Sequence, residues 1–153
     1  LISANLYGPG DNYDPASSHI IPAIIRRIEE TPHGGTLTCW GTGTATRDFL
    51  YVEDCADAIL RALEIDPAPN TAINIGSGTE ISIRETVETI LNIMGRADIT
   101  VAWDSTRPDG QPRRALDCSR ARGLLGWSAR TPIAEGLTAA ISARKSKKND
   151  DIA

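Results

Sequence analysis

A strand that runs straight into Gly8-Pro9-Gly10 constrains this chain more than any other feature. Leu1 to Leu6 reads as a strand end that the turn cannot continue, because proline has no N–H for a sheet ladder and glycine favours a turn. The backbone must bend there. After a polar loop, Ile20, Ile21, Ile24, Ile25 and Ile28 recur at helical spacing between Ser18 and Thr31, with Arg26, Arg27, Glu29 and Glu30 on the other side. Ser17 and Ser18 are good capping residues for that helix, Pro22 is tolerated in its first turn, and Pro32-His33-Gly34-Gly35 breaks it. This order delivers His19 to the mouth of a helix, and imidazole is the side chain that exchanges a proton near neutrality. Arg26 and Arg27 follow about two turns, or roughly 11 Å, further along, the scale of a sugar joined to a diphosphate.

The remaining chain keeps alternating. Thr36 to Trp40 is β-prone, Gly41 to Thr46 is a loop, and Arg47 to Val52 is a second β-prone run expected near the first. Glu53 and Asp54 open a helix whose apolar face is Ala56, Ile59, Leu60 and Leu63, and which Pro67 and Pro69 end. Thr71 to Ile75 is a brief strand, and a Gly76-Ser77-Gly78-Thr79 turn leads to a helix from about Ser82 to Met94, with Gly95 as its cap. Ile99 to Trp103 is a further strand. Asp104 to Arg114 is a loop that ligand or neighbours must hold. Ser119 to Leu125 reads as a short helix, Pro132 opens a last helix to about Arg144, and the polar residues 145–153 read as a disordered tail. Alternation of strand and helix without an internal repeat gives the α/β class.

Composition removes several functions. A chain of 153 residues with 41% hydrophobic content suits one domain, and a net charge of −4 with pI near 5.1 argues against nucleic-acid or anionic-membrane surfaces. The longest apolar run, Ile20 to Ile25, is short and carries Pro22, so no membrane span is expected, and the start lacks the pattern of a signal peptide. Cys39, Cys55 and Cys118 are widely spaced with no C-x-x-C pair, which reads as reduced thiols in a cytoplasmic protein without a metal site. Leu1 already reads as mid-strand, so the chain is expected to begin inside a larger protein.

Arg27, Arg47, Arg107, Arg113 and Arg114 sit in or beside loops and helix faces, and guanidinium forks bind phosphate oxygens in a bidentate way. From spacing alone, paired surface charge is an equal reading of them. Trp40 reads more readily as strand-end core than as a stacking platform, and His19 more readily as a structural histidine than as a catalyst. Gly76-Ser77-Gly78 fails the dinucleotide fingerprint, since Ile81 stands where its third glycine belongs, and none of Tyr7, Tyr13 and Tyr51 has a lysine four residues on. Cys55 and Cys118 read as inert packing residues.

Taken together, Asn5-Leu6-Tyr7-Gly8-Pro9, Ser18-His19-Ile20-Ile21-Pro22, Trp40-Gly41-Thr42-Gly43, Arg47-Asp48-Phe49-Leu50-Tyr51-Val52, Asn74-Ile75-Gly76 and Arg107-Pro108-Asp109-Gly110 resemble the C-terminal half of the extended short-chain dehydrogenase/reductases, the NAD-dependent epimerase/dehydratase family. The chain is most similar to the branch that epimerises and reduces GDP-4-keto-6-deoxymannose. The resemblance implies the end of a Rossmann sheet, near residues 1–6 and 71–75, joined to a smaller substrate-binding part, together spanning residues 1–144.

It implies further that Ser3, Ala4, Asn5 and Leu6 lie beside the nicotinamide of NADP (or NAD), which an upstream half binds in the main. His19 would be the acid of a 3,5-epimerisation, returning a proton after a cysteine base removes one beside the 4-keto group, since a ketone eases loss of the neighbouring proton. Arg27, Trp40, Arg47 and Arg107 would hold the nucleotide-sugar, with a GDP-sugar preferred. The family's glycine-rich cofactor loop, its serine, tyrosine and lysine, and the cysteine base belong to the other half, so this chain alone is expected to bind weakly and catalyse nothing. A UDP-sugar 4-epimerase, a 4,6-dehydratase or a noncatalytic binding module are the alternatives, and the full-length form would be a homodimer.

Overall fold

The computed structural model describes residues 1–66 and 70–150. In chain order the elements are β1 (Ile2–Ser3), β2 (Asn5–Tyr7), α1 (Ile20–Glu30), β3 (Thr36–Trp40), β4 (Thr46–Arg47), β5 (Phe49–Tyr51), α2 (Val52–Leu63), β6 (Asn74–Ile75), β7 (Ile81–Ser82), α3 (Ile83–Met94), β8 (Thr100–Asp104), β9 (Arg113–Arg114), α4 (Ser119–Leu125) and α5 (Ile133–Asp150). This is an α/β chain. β1 pairs with β6, β2 with β5 and β3 with β8, all parallel, while β4 lies between antiparallel β7 and parallel β9. Parallel pairing needs long crossovers, and helices supply them here: α1 and α3 lie between partners that are distant in sequence.

Two apolar cores result. One joins Ile21, Ile25 and Ile28 of α1 to Leu37 of β3, Val87 and Ile90 of α3 and Leu137 of α5. The other joins Cys55 and Ala58 of α2 to Ile75 of β6, Ala121 and Leu125 of α4, and Trp127. Strand β5 serves both, because successive strand side chains point to opposite faces: Phe49 and Tyr51 enter the first core and Leu50 the second. α3 opens with a capping box between Ser82 and Glu85, and Gly95 closes it in the left-handed conformation at φ 67°.

Several expectations are corrected. The N-cap of α1 is His19, with no side-chain cap, because the serines serve an aspartate turn instead: Ser17 and Ser18 donate their N–H groups to the Asp14 carbonyl at 3.2 and 2.8 Å. The two β-prone runs around Trp40 and Phe49 do not pair with each other, and the second is split at Asp48 into β4 and β5, which join different sheets. In α2 the small residues Cys55 and Ala58 face inward, where they allow close approach, while Ile59, Leu60 and Leu63 are exposed, Leu63 by 78%. α2 stops at Leu63, and Pro67 and Pro69, expected to end it, lie outside the described residues. α5 continues past Arg144 to Asp150, through most of the expected tail, and Lys148 there pairs with Glu29 of α1 at 2.5 Å.

Arg96 ties the end of α1 down. Its guanidinium donates to the carbonyls of Ile28, Thr31 and Pro32 at 2.9, 2.9 and 3.2 Å, in the last turn of the helix and just past it, and pairs with Asp98 at 2.9 Å. Among the described residues no helix is long and apolar enough to cross a membrane.

Candidate functional site

A cavity of about 620 Å³ opens where the ends of β1 and β2, the start of α1 and the β4–β9 pair converge. That volume is in the range of small-molecule sites. Ser3 to Leu6 form one wall, His19 and Ile20 a second, and Arg47 and Arg114 a third. The bend at Gly8-Pro9-Gly10 is what brings the α1 wall round to face the strand ends, and Gly10 takes φ 81°, a value glycine adopts freely. His19 is exposed at the α1 N-cap, with extended backbone at φ −72° and ψ 173°.

Arg47 is half-buried and partly committed: its Nη1 donates to the carbonyls of Thr46 and Gln111, both at 2.7 Å. Asp48, only 1% exposed, turns the other way and accepts from the Ser77 N–H and hydroxyl at 2.8 and 2.7 Å. The Asn5 side chain donates to the Asp48 carbonyl at 3.0 Å, fixing β2 to the β4–β5 join. On β9 the same alternation separates two adjacent arginines: Arg113 binds Glu80 at 2.5 Å while Arg114 turns to the cavity. The Arg113 hydrogen bonds, then that of Thr46, hold the Glu80 carboxyl below its usual range. Tyr7 in the cavity wall has its hydroxyl pushed upward, by burial first and then by Tyr51 and Asp54, so it stays protonated near neutrality.

The remaining candidates stand elsewhere. Trp40 ends β3 with 68% of its surface exposed, so it is not core, and the Arg107 guanidinium sits 5.4 Å from its ring centroid. Asp104 approaches Arg107 at 3.9 Å. Arg27 donates to the Thr38 carbonyl of β3 and lies close enough to offset part of the burial that raises the Cys39 thiol. Thus Ser3, Ala4, Asn5, Leu6, His19 and Arg47 share one cavity, Trp40 and Arg107 form a stacked pair outside its wall, and Arg27 supports β3. Arg114, one of the five arginines that the sequence offers as phosphate forks, is outside the four substrate-binding residues that the resemblance implies, yet it lines the cavity. Its signal is the Arg113-Arg114 dipeptide on a strand, where one side chain of the two must face the opposite way.

Ser3 to Leu6 fit a wall for a flat cofactor ring better than a grip on one, because the Asn5 amide is already bonded to Asp48. Among the described residues no cluster of three metal-ligating side chains forms.

Residues 1–76 match the model of the NAD-dependent epimerase/dehydratase family, so the chain carries a domain of that family. Its sequence is 44% identical over 136 residues to GDP-L-fucose synthase of Sinorhizobium fredii, covering 87% of this chain and 42% of the relative. It is 40% identical over 135 residues to probable GDP-L-fucose synthase 1 of Oryza sativa subsp. japonica, covering 87% and 40%. The chain therefore spans less than half the length of the curated relatives it matches. In fold it superposes on a GDP-L-fucose synthetase from Naegleria fowleri solved with NADP, with a TM-score of 0.88 at 21% identity, over 97% of this chain and 47% of that one.

Proposed function

We propose that this chain is the nucleotide-sugar-binding part of an NADP-dependent GDP-4-keto-6-deoxymannose 3,5-epimerase and 4-reductase. The observation that carries the reading is one cavity that brings a titratable imidazole, His19, together with the guanidinium groups of Arg47 and Arg114 and the strand ends Ser3 to Leu6. The identity to GDP-L-fucose synthases supports the GDP-sugar.

In this reading Arg47 and Arg114 hold the diphosphate by charge-assisted hydrogen bonds, and Trp40 with Arg107 engages the nucleoside end. Arg27 acts indirectly, by fixing β3 and hence Trp40. His19, at the cavity mouth, returns a proton to the carbon beside the 4-keto group. Ser3 to Leu6 lie against the nicotinamide, whose chemistry when bound is hydride delivery to the 4-keto carbon. The residues that grip the cofactor and remove the first proton belong to an upstream half, so the chain alone binds without turnover; the whole enzyme is a cytoplasmic homodimer.

The test is calorimetric titration of this chain with GDP and UDP, alongside turnover of GDP-4-keto-6-deoxymannose with NADPH by a full-length protein that contains it. Preference for GDP and formation of the epimerised, reduced sugar are expected. Equal binding of UDP, or interconversion of UDP-sugars without net NADPH consumption, would favour a 4-epimerase instead.

A further inference from the structure

We propose that Asp109 is a positioning residue that latches the loop after β8 onto the Gly41–Gly43 loop and so holds Arg107 over Trp40. Its carboxylate accepts from the Thr42 N–H at 2.6 Å, the Thr42 hydroxyl at 2.8 Å and the Gly43 N–H at 3.3 Å. Gly41 and Gly43 both take φ 76°, a left-handed setting that turns successive N–H groups to one side and makes a backbone cradle for an anion. The cradle is filled by the chain's own carboxylate. A Cβ at Gly41 would stand 2.9 Å from the Asp109 carboxyl carbon, so the approach depends on a bare backbone there.

The latch lies beside both members of the stacked pair. Trp40 immediately precedes Gly41, and Arg107 is two residues before Asp109. The cradle is supported from the far side, where Arg84 donates to the Thr42 carbonyl at 2.6 Å and stacks 4.6 Å from the Trp103 ring centroid. The Gly41 N–H donates to the Asp104 carbonyl at 2.9 Å. With its base fixed in this way, the Gly41–Gly43 loop anchors the otherwise exposed segment that carries Arg107. The three donors also keep the Asp109 carboxyl below its usual range, the Thr42 N–H contributing most. Asp109 is exposed, so its removal leaves both cores untouched and frees Arg107 from the ring.

The function of the latch rests on the nucleotide-sugar reading, in which Trp40 and Arg107 engage the nucleoside. The experiment separates the two. The Trp40 indole N–H resonance is compared in the wild type, Asp109→Ala, Arg107→Ala and the double variant, and GDP affinity is measured calorimetrically in each. In Asp109→Ala the indole signal is expected to move to the position it takes in Arg107→Ala, and in Asp109→Asn, which keeps one acceptor oxygen, to move part of the way. Each single substitution is expected to weaken GDP binding about tenfold, and the double variant no further, because the two act through one contact. An unmoved indole signal in Asp109→Ala, or losses that add in the double variant, overturns the proposal. If GDP binds no form, the nucleotide-sugar reading fails, and the indole comparison alone decides the latch.

Discussion

Arg47 and Arg114 stand opposite one another in register across the parallel β4–β9 ladder, and their guanidinium groups have different duties. Arg47 holds the Gln111 carbonyl and thereby the turn into β9, whereas Arg114, among the described residues, makes no side-chain hydrogen bond or ion pair. Replacing Arg114 by alanine is expected to weaken GDP binding about tenfold, the loss of one charge-assisted bond, at unchanged stability. Arg47→Lys replaces a fork by a point charge, so it raises the KM for the nucleotide-sugar and also lowers the melting temperature. Calorimetry and thermal unfolding on the two variants check this; equal affinity in wild type and Arg114→Ala removes Arg114 from the site.

His19 is exposed at the α1 N-cap and supports no packing, so its removal tests chemistry and little else. In a full-length protein His19→Ala is expected to abolish 3,5-epimerisation while leaving GDP affinity within about twofold, since no phosphate contact is lost. Solvent-deuterium incorporation at the sugar carbons reads the step directly. Normal epimerisation by the variant defeats the assignment.

Gly136 sits inside α5, where alanine would ordinarily favour the helix by about 1 kcal/mol. Here a Cβ would meet the Tyr7 ring at 2.8 Å and the Tyr51 ring at 2.9 Å, both rings buried and packed edge to face 5.8 Å apart. Overpacking of that kind costs about 1–3 kcal/mol, so it wins. Gly136→Ala should lower the melting temperature, and a rise would show that α5 shifts easily against β2 and β5.

Asp98 gives the stability a direction in pH. The Arg96 side chain first, and the Gly34 N–H second, hold its carboxyl well below the usual range. A lowered carboxyl favours the folded state fully above the ordinary aspartate value of about 4, and the contribution fades as pH falls below it. Urea midpoints are therefore expected to be steady near neutrality and to drop in acid, with the drop smaller in Asp98→Asn. An identical acid profile in that variant would assign the loss to other carboxylates.

The periodic signal was legible in the sequence: α1 follows its isoleucine spacing, and Ser82 and Gly95 mark the ends of α3 by local chemistry. Pairing was not. Nothing near Thr36–Trp40 names Thr100–Asp104 as its partner, because parallel register is set by distant chain and not by a turn. The inward face of α2 is hidden from the sequence for a related reason: spacing shows an apolar stripe, but Cys55 and Ala58 join the core with Leu50 and Ala121 because small side chains permit the closer approach. For the site, the type of residue was readable and its allegiance only in part. Arg27 and Arg47 look alike in sequence, and both donate to backbone carbonyls, yet Arg47 on β4 also lines the cavity whereas Arg27 on α1 reaches β3 outside it.

Strand β5 is three residues long, yet both cores close on it. Such a shared seam ties the two halves mechanically: one cannot slide on the other without dragging Phe49, Leu50 and Tyr51, and Arg47 rides two residues ahead of that seam. A proteolytic nick between Arg47 and Val52 would loosen both bodies at once and leave neither as a separable fragment.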